Sequence, residues 1–130
     1  MYLEDAIENA QREIPGCVAL GLVDLSAGAI LCGSPADRGS FDLAAAACGE
    51  LLAGASARGA HQALAAVDPT VDADDAFHEA LVMGADRVHV FVRSRTRASC
   101  AYVAVCEASV ALGLVLAKVR SSLGPVEEAL

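Results

Sequence analysis

The segment Cys17-Val-Ala-Leu-Gly-Leu-Val-Asp24 constrains the fold more than any other part of the chain. It is a continuous apolar run of strand length, with Val18, Leu20 and Leu22 pointing to one side and Ala19, Gly21 and Val23 to the other. Neither side carries a polar residue, so both faces of this strand must be covered. Gly21 marks a point where another element approaches the backbone closely. A second apolar run, Ala29 to Cys32, follows the turn residues Leu25-Ser-Ala-Gly28, and the two runs read as a β-hairpin.

Helical segments supply the cover. From Met1 to Glu13, the apolar residues Leu3, Ile7, Ala10 and Ile14 recur at three- and four-residue intervals, with Glu4, Asp5, Glu8 and Arg12 between them. This predicts a one-sided helix whose acidic first turn suits the helix dipole and which Pro15-Gly16 ends. Gly33 to Gly39 reads as a loop, and Ser40 is a suitable N-cap for a helix through Leu43, Ala46, Ala47, Glu50, Leu51 and Leu52. That helix is rich in small residues (Ala44 to Ala47, Cys48, Gly49, Ala53, Gly54), which let neighbours come close; it either continues through Arg58 or breaks near Gly54. Ala60 to Val67 reads as a further helical turn or two, and Asp68 to Asp75 as an acidic connector.

Beyond Ala76 the pattern changes to strands. Phe77 to Met83, a Gly84-Ala-Asp86 turn and Arg87 to Arg93 form a second hairpin, with Val88, Val90 and Val92 on one face and Arg87, His89, Phe91 and Arg93 on the other. The charged loop Ser94 to Arg97 leads to a strand over Cys100 to Cys106. Ser109 can cap a last helix, Val110 to Leu123, with Leu112, Leu116, Val119 and Leu123 as its apolar stripe and Gly124-Pro125 as its stop. The order is αββαβββα, an α+β domain with a five-stranded antiparallel sheet and helices on both faces. Parallel βαβ alternation, and with it a Rossmann or P-loop enzyme, does not fit.

At 130 residues the chain suits one domain spanning 1–130. It is 55% hydrophobic but only 4% aromatic, and its mean hydropathy of +0.48 leaves more apolar surface than one core consumes, which predicts a homodimer. No run approaches the roughly 18 apolar residues that cross a bilayer. The acidic start, Met1-Tyr-Leu-Glu-Asp5, lacks the features of a secretory signal, so the expected location is the cytoplasm. A net charge of −8 repels polyanions and makes nucleic acid a poor partner. The five cysteines Cys17, Cys32, Cys48, Cys100 and Cys106 are odd in number, widely spaced and set among Ala and Val, the pattern of reduced core thiols rather than a disulfide framework.

Few residues point to chemistry. No glycine cluster sits between a strand and a helix N-terminus with a lysine nearby, and the only lysine, Lys118, is late in the last helix, which argues against a phosphate cradle. Asp68, Asp72, Asp74 and Asp75 lack the glycine and bidentate glutamate of a calcium loop and read as a solvated linker. No Cys-x-x-Cys pair suggests zinc, and His61, His78 and His89 have no cysteine or serine at a spacing diagnostic of a nucleophile pair. No cofactor, metal or enzymatic activity is therefore expected. Arg87, Arg93, Arg95 and Arg97 form the one basic patch, either a docking site for an acidic partner or the solvated charges that keep an apolar sheet soluble.

Ile14 to Asp24 with the Ser26-Ala-Gly28 turn, then Asp86 to Arg93, Ala101 to Cys106 and Ser109 to Arg120, resemble the bacterial members of the roadblock/dynein light-chain family across nearly the whole chain. Val110-Ala-Leu-Gly113 stands where that family's last helix opens with an asparagine-leucine-glycine-like step. The resemblance implies a roadblock-like, profilin-like architecture and a non-catalytic homodimer in which the edges at Phe77 to Met83 pair and the helices over Phe41 to Ala57 lie side by side. Leu43, Ala47, Leu51, Phe77, Glu79, Leu81, Val82 and Met83 would then form the interface. It also implies a platform that binds or regulates a Ras-like small GTPase or serves as a scaffold in a signalling complex. A small-ligand sensor, of profilin, PAS or GAF type, is the alternative, and a concave apolar pocket with convergent polar groups would favour it.

Overall fold

The computed structural model describes residues 2–34, 41–72 and 77–130, without the side chains of 41–46. The elements run α1 (Leu3–Glu13), β1 (Cys17–Asp24), β2 (Ala29–Ser34), α2 (Phe41–Ala53), α3 (Ala55–Val67), β3 (Glu79–Met83), β4 (Arg87–Arg93), β5 (Cys100–Glu107), α4 (Leu112–Ser122) and α5 (Gly124–Ala129). The strands form one antiparallel sheet in the order β2-β1-β5-β4-β3. The expected α+β class and five-stranded sheet are both present.

The two faces of β1 explain the layering. Leu20 and Leu22 are buried with Val88, Val90, Tyr102 and Cys106 under α1, α4 and α5, which contribute Ile7, Ala10, Val115, Val119 and Val126. Ala19 and Val23 are buried on the other side with Phe91, Ala101 and Val103 under Cys48 and Leu52 of α2. Gly21 is on this second face, opposite Gly33 of β2 and Val103 of β5.

Local chemistry fixes the joints. Asp24 Oδ1 accepts hydrogen bonds from the Ser26 N–H at 2.9 Å and the Ser26 hydroxyl at 2.7 Å, and Gly28 takes a φ of 64°, so the first hairpin turns where the sequence predicts. Gly16 has a φ of 65°, and a Cβ there would lie 2.6 Å from Val110 Cγ2, so this joint requires glycine for both conformation and space.

Several boundaries differ from expectation. Of the two alternatives for the central helix, the break near Gly54 is the one present, where a Cβ would meet the Glu50 carbonyl at 2.6 Å, but α3 then runs longer than the turn or two predicted. Arg58 donates to the Ala53 carbonyl at 2.7 Å, satisfying an acceptor at the end of α2. β3 begins at Glu79 rather than Phe77, while β2 and β5 extend to Ser34 and Glu107. Ser109 does not cap α4: the N-cap is Ala111, with no side-chain hydrogen bond. The α4 stripe is centred on Val115, Val119 and Ser122, with Leu112 and Leu116 only partly buried. Gly124-Pro125, expected to end the helical region, opens α5, because proline in a first turn gives up only an N–H that has no helical partner. Ser40 lies outside the described residues.

Candidate interaction surface

β3 is an edge strand. Its register with β4 pairs Glu79 with Val92, Leu81 with Val90 and Met83 with Val88, which sets these three on the face of α1 and α4 and leaves Ala80 and Val82 on the face of α2. Gly84 donates to the Arg87 carbonyl at 2.8 Å and Arg93 to the His78 carbonyl at 2.7 Å, so the even-numbered positions make the ladder bonds. The backbone N–H and C=O groups of Glu79, Leu81 and Met83 consequently point away from β4 to the open edge. Large apolar side chains stand there exposed: Leu81 by 38%, Val82 by 44% and Met83 by 62%.

The other expected interface residues divide. On α2, Ala47 is exposed and Leu51 half-buried, and the helix packs over β3 and β4 as well as the central strands. The Leu43 side chain lies outside the described residues. Phe77 turns inward, packing edge-on against His61 with ring centroids 5.3 Å apart, and joins the core under α2. His61 Nε2 is bonded to the Asp72 carbonyl at 2.8 Å, so this histidine anchors the connector to α3. Glu79 is drawn toward α4, where Arg120 Nε and Nη2 donate to its two carboxylate oxygens at 2.8 and 2.7 Å. This fork holds the Glu79 carboxyl below its ordinary range.

Within the basic patch, Arg93 is engaged by the fold itself. Its guanidinium donates to the Phe77 carbonyl at 3.3 Å, the Ala98 carbonyl at 2.9 Å and the Leu52 carbonyl at 2.8 Å, clamping α2, the lead into β3 and the loop before β5. It is a structural clamp. Arg87, Arg95 and Arg97 are exposed. Arg87 donates to the Asp86 carbonyl at 3.0 Å, and the backbone carrying Arg95 is fixed by a 2.8 Å bond from its N–H to Glu127.

A cavity of about 540 Å³ opens beside this loop, between the β3–β4 hairpin and α4–α5. Val92, Tyr102 and Leu123 give it an apolar lining, and His78, Arg95, Arg120, Thr96, Glu79 and Glu127 converge on it. The Tyr102 hydroxyl is buried, with no well-formed hydrogen bond among the described residues. Burial, and then the Glu127 carboxylate, push its ionisation upward. Sequence reasoning missed this cavity, since its walls come from positions 78 to 127 that share no motif.

Of the acidic connector, Asp68 accepts bonds from the Thr70 N–H and hydroxyl, a turn arrangement, while Asp74 and Asp75 lie outside the described residues. No cluster of three metal-ligating side chains occurs among the described residues.

No protein-family model matches the chain, and no curated protein does. Solved structures do match. A roadblock/LC7 domain from Streptomyces avermitilis superposes on 98% of this chain and 97% of its own with a TM-score of 0.71, at 9% identity. The chain has the roadblock fold. The same fold is shared by the gliding protein MglB of Thermus thermophilus, with a TM-score of 0.68 at 19% identity over 98% of this chain and 87% of that one. An MglB structure with a tetrameric arrangement matches with a TM-score of 0.68 at 22% identity, covering 98% and 90% of the two chains. At these identities the roadblock likeness is one of architecture.

Proposed function

We propose that the chain is a single roadblock domain acting as a non-catalytic homodimeric platform, which binds or regulates a Ras-like small GTPase or its signalling complex in the cytoplasm. The observation that carries this reading is the β3 edge: backbone groups with no partner among the described residues, flanked by exposed Leu81, Val82 and Met83 in a sheet otherwise covered on both faces. A second copy satisfies that edge by symmetric pairing. The tetrameric arrangement of one structural neighbour is consistent with self-association through this architecture. Among the described residues no helix is long and apolar enough to cross a membrane. The exposed Arg95 and Arg97 give the assembly a basic point at which an acidic surface can dock.

The test uses the purified protein with Ras-like GTPases of its source bacterium, each loaded with GDP or a non-hydrolysable GTP analogue, followed by sizing. Retention of a GTPase in one nucleotide state by a dimer supports the reading. A dimer that retains none in either state overturns the GTPase assignment.

The cavity beside α5 favours a second reading, a small-ligand sensor, because its volume lies in the range of about 300–1,000 Å³ typical of ligand sites and its lining mixes apolar walls with convergent polar groups. Specific stabilisation by a small molecule, abolished by filling the cavity at Val92, supports that alternative.

A further inference from the structure

We propose that Cys17 and Cys106 form a site of reversible oxidation, closing to an intramolecular disulfide between β1 and β5 when the protein meets a peroxide. The two are cross-strand partners in the central pair of strands. The 2.9 Å bond from the Glu107 N–H to the Gly16 carbonyl flanks them, so theirs is a non-hydrogen-bonded pair. In such pairs the Cα atoms lie about 4.5 Å apart and the side chains come nearest. A disulfide spans Cα separations of roughly 4.4–6.8 Å.

Both side chains are on the face beneath α1 and α4, where Cys106 is fully buried and Cys17 packs partly exposed against the same core. The register shifts between Cys17 and Ala19, and this bulge gives the start of β1 local slack for the small movement that bonding requires. The Cys17 thiol lies 3.1 Å from the Ala19 carbonyl and also interacts with Cys106. The other cysteines are placed differently. Cys32 is opposite Leu22 and Cys100 opposite Asp24. Cys48 is on α2 under the other face, its thiol pushed up to about 12 by burial.

The chemistry balances with hydrogen peroxide as oxidant. The Cys17 sulfur, the more accessible, attacks one peroxide oxygen, the O–O bond breaks, and Cys17 becomes a sulfenic acid as one water leaves. The Cys106 sulfur then attacks the Cys17 sulfur, the S–O bond breaks, and the departing hydroxide takes the Cys106 proton to form a second water. Two thiols lose two electrons and two protons, and peroxide is reduced to two waters. The bond ties the start of β1, just after the Gly16 joint, to the end of β5. Thiol reductants reverse it.

The full chain is treated with hydrogen peroxide, denatured, alkylated and mapped by mass spectrometry. The expected result is a loss of about 2 Da, two thiols withdrawn from alkylation, one cross-linked Cys17–Cys106 peptide pair reversed by dithiothreitol, and a Tm raised by roughly 5–10 °C. Cys17→Ser leaves Cys106 alkylatable after the same treatment. Full alkylation of all five cysteines, a cross-link between chains, or Cys17 driven to sulfinic acid while Cys106 stays reduced each overturns the proposal.

Discussion

Glu127 reaches from α5 to the loop after β4, where its carboxylate accepts bonds from the Ser94 hydroxyl at 2.8 Å, the Thr96 hydroxyl at 2.6 Å and the Arg95 N–H at 2.8 Å. Burial opposes its ionisation, but these donors outweigh that cost and hold the carboxyl below its ordinary range. A depressed folded-state pKa contributes stability that is fully present above the unfolded value, near 4.3, and is lost as pH falls through the folded value. Glu127→Ala should therefore cost about 2 kcal/mol near neutral pH, leaving the buried Ser94 hydroxyl short of a partner, and less at an acid pH below the unfolded value. Urea unfolding of both proteins at the two pH values measures this. An equal difference at both would show that the charge is not the cause. Arg93 teaches the same lesson with the opposite sign. In the sequence it is one of four clustered arginines, yet each of its three nitrogens donates to a backbone carbonyl, and only the positions of those carbonyls in the fold reveal it.

At the scale of elements, the α1–β1 joint turns on Gly16. An alanine there must adopt a left-handed conformation and press its Cβ to within 2.6 Å of Val110 Cγ2. Gly16→Ala is expected to destabilise by about 2–3 kcal/mol, and adding Val110→Ala should recover only the steric share, because the backbone cost stays. Denaturant midpoints of the single and double variants check this, and full recovery in the double variant would mean that the backbone adapts without strain. The strands were legible in the sequence because β1 and β5 are apolar on both faces and the charged or glycine-containing turns between strands are unambiguous. The helices were less so. Whether the central helix broke depended on the approach of Gly54 to Glu50, and α5 forms through Val126 in the core and the long-range bonds of Glu127, neither of which a local pattern encodes. The cavity was illegible for the same reason: Glu79 and Arg120 meet across 41 residues of sequence.

At the scale of the whole molecule, the sheet has two edges, and they are not alike. β2 exposes one large apolar side chain, Leu31, whereas β3 exposes Leu81, Val82 and Met83. If two copies pair through β3, the contact depends on backbone groups of Glu79, Leu81 and Met83 that β4 does not use. Leu81→Pro removes one of those outward N–H groups while leaving the β3–β4 ladder intact, and the proline constrains Ala80 only to the extended backbone it already has. The expected outcome is a folded monomer by light scattering, with far-UV circular dichroism close to that of the parent. Val82→Pro is the control, since it deletes a ladder bond opposite His89 and should lower stability whether or not the chain self-associates. A Leu81→Pro protein that remains a dimer would move self-association away from this edge. The α2 face or the β2 edge would then be the place to look, and the exposed apolar side chains of β3 would be left for a different partner.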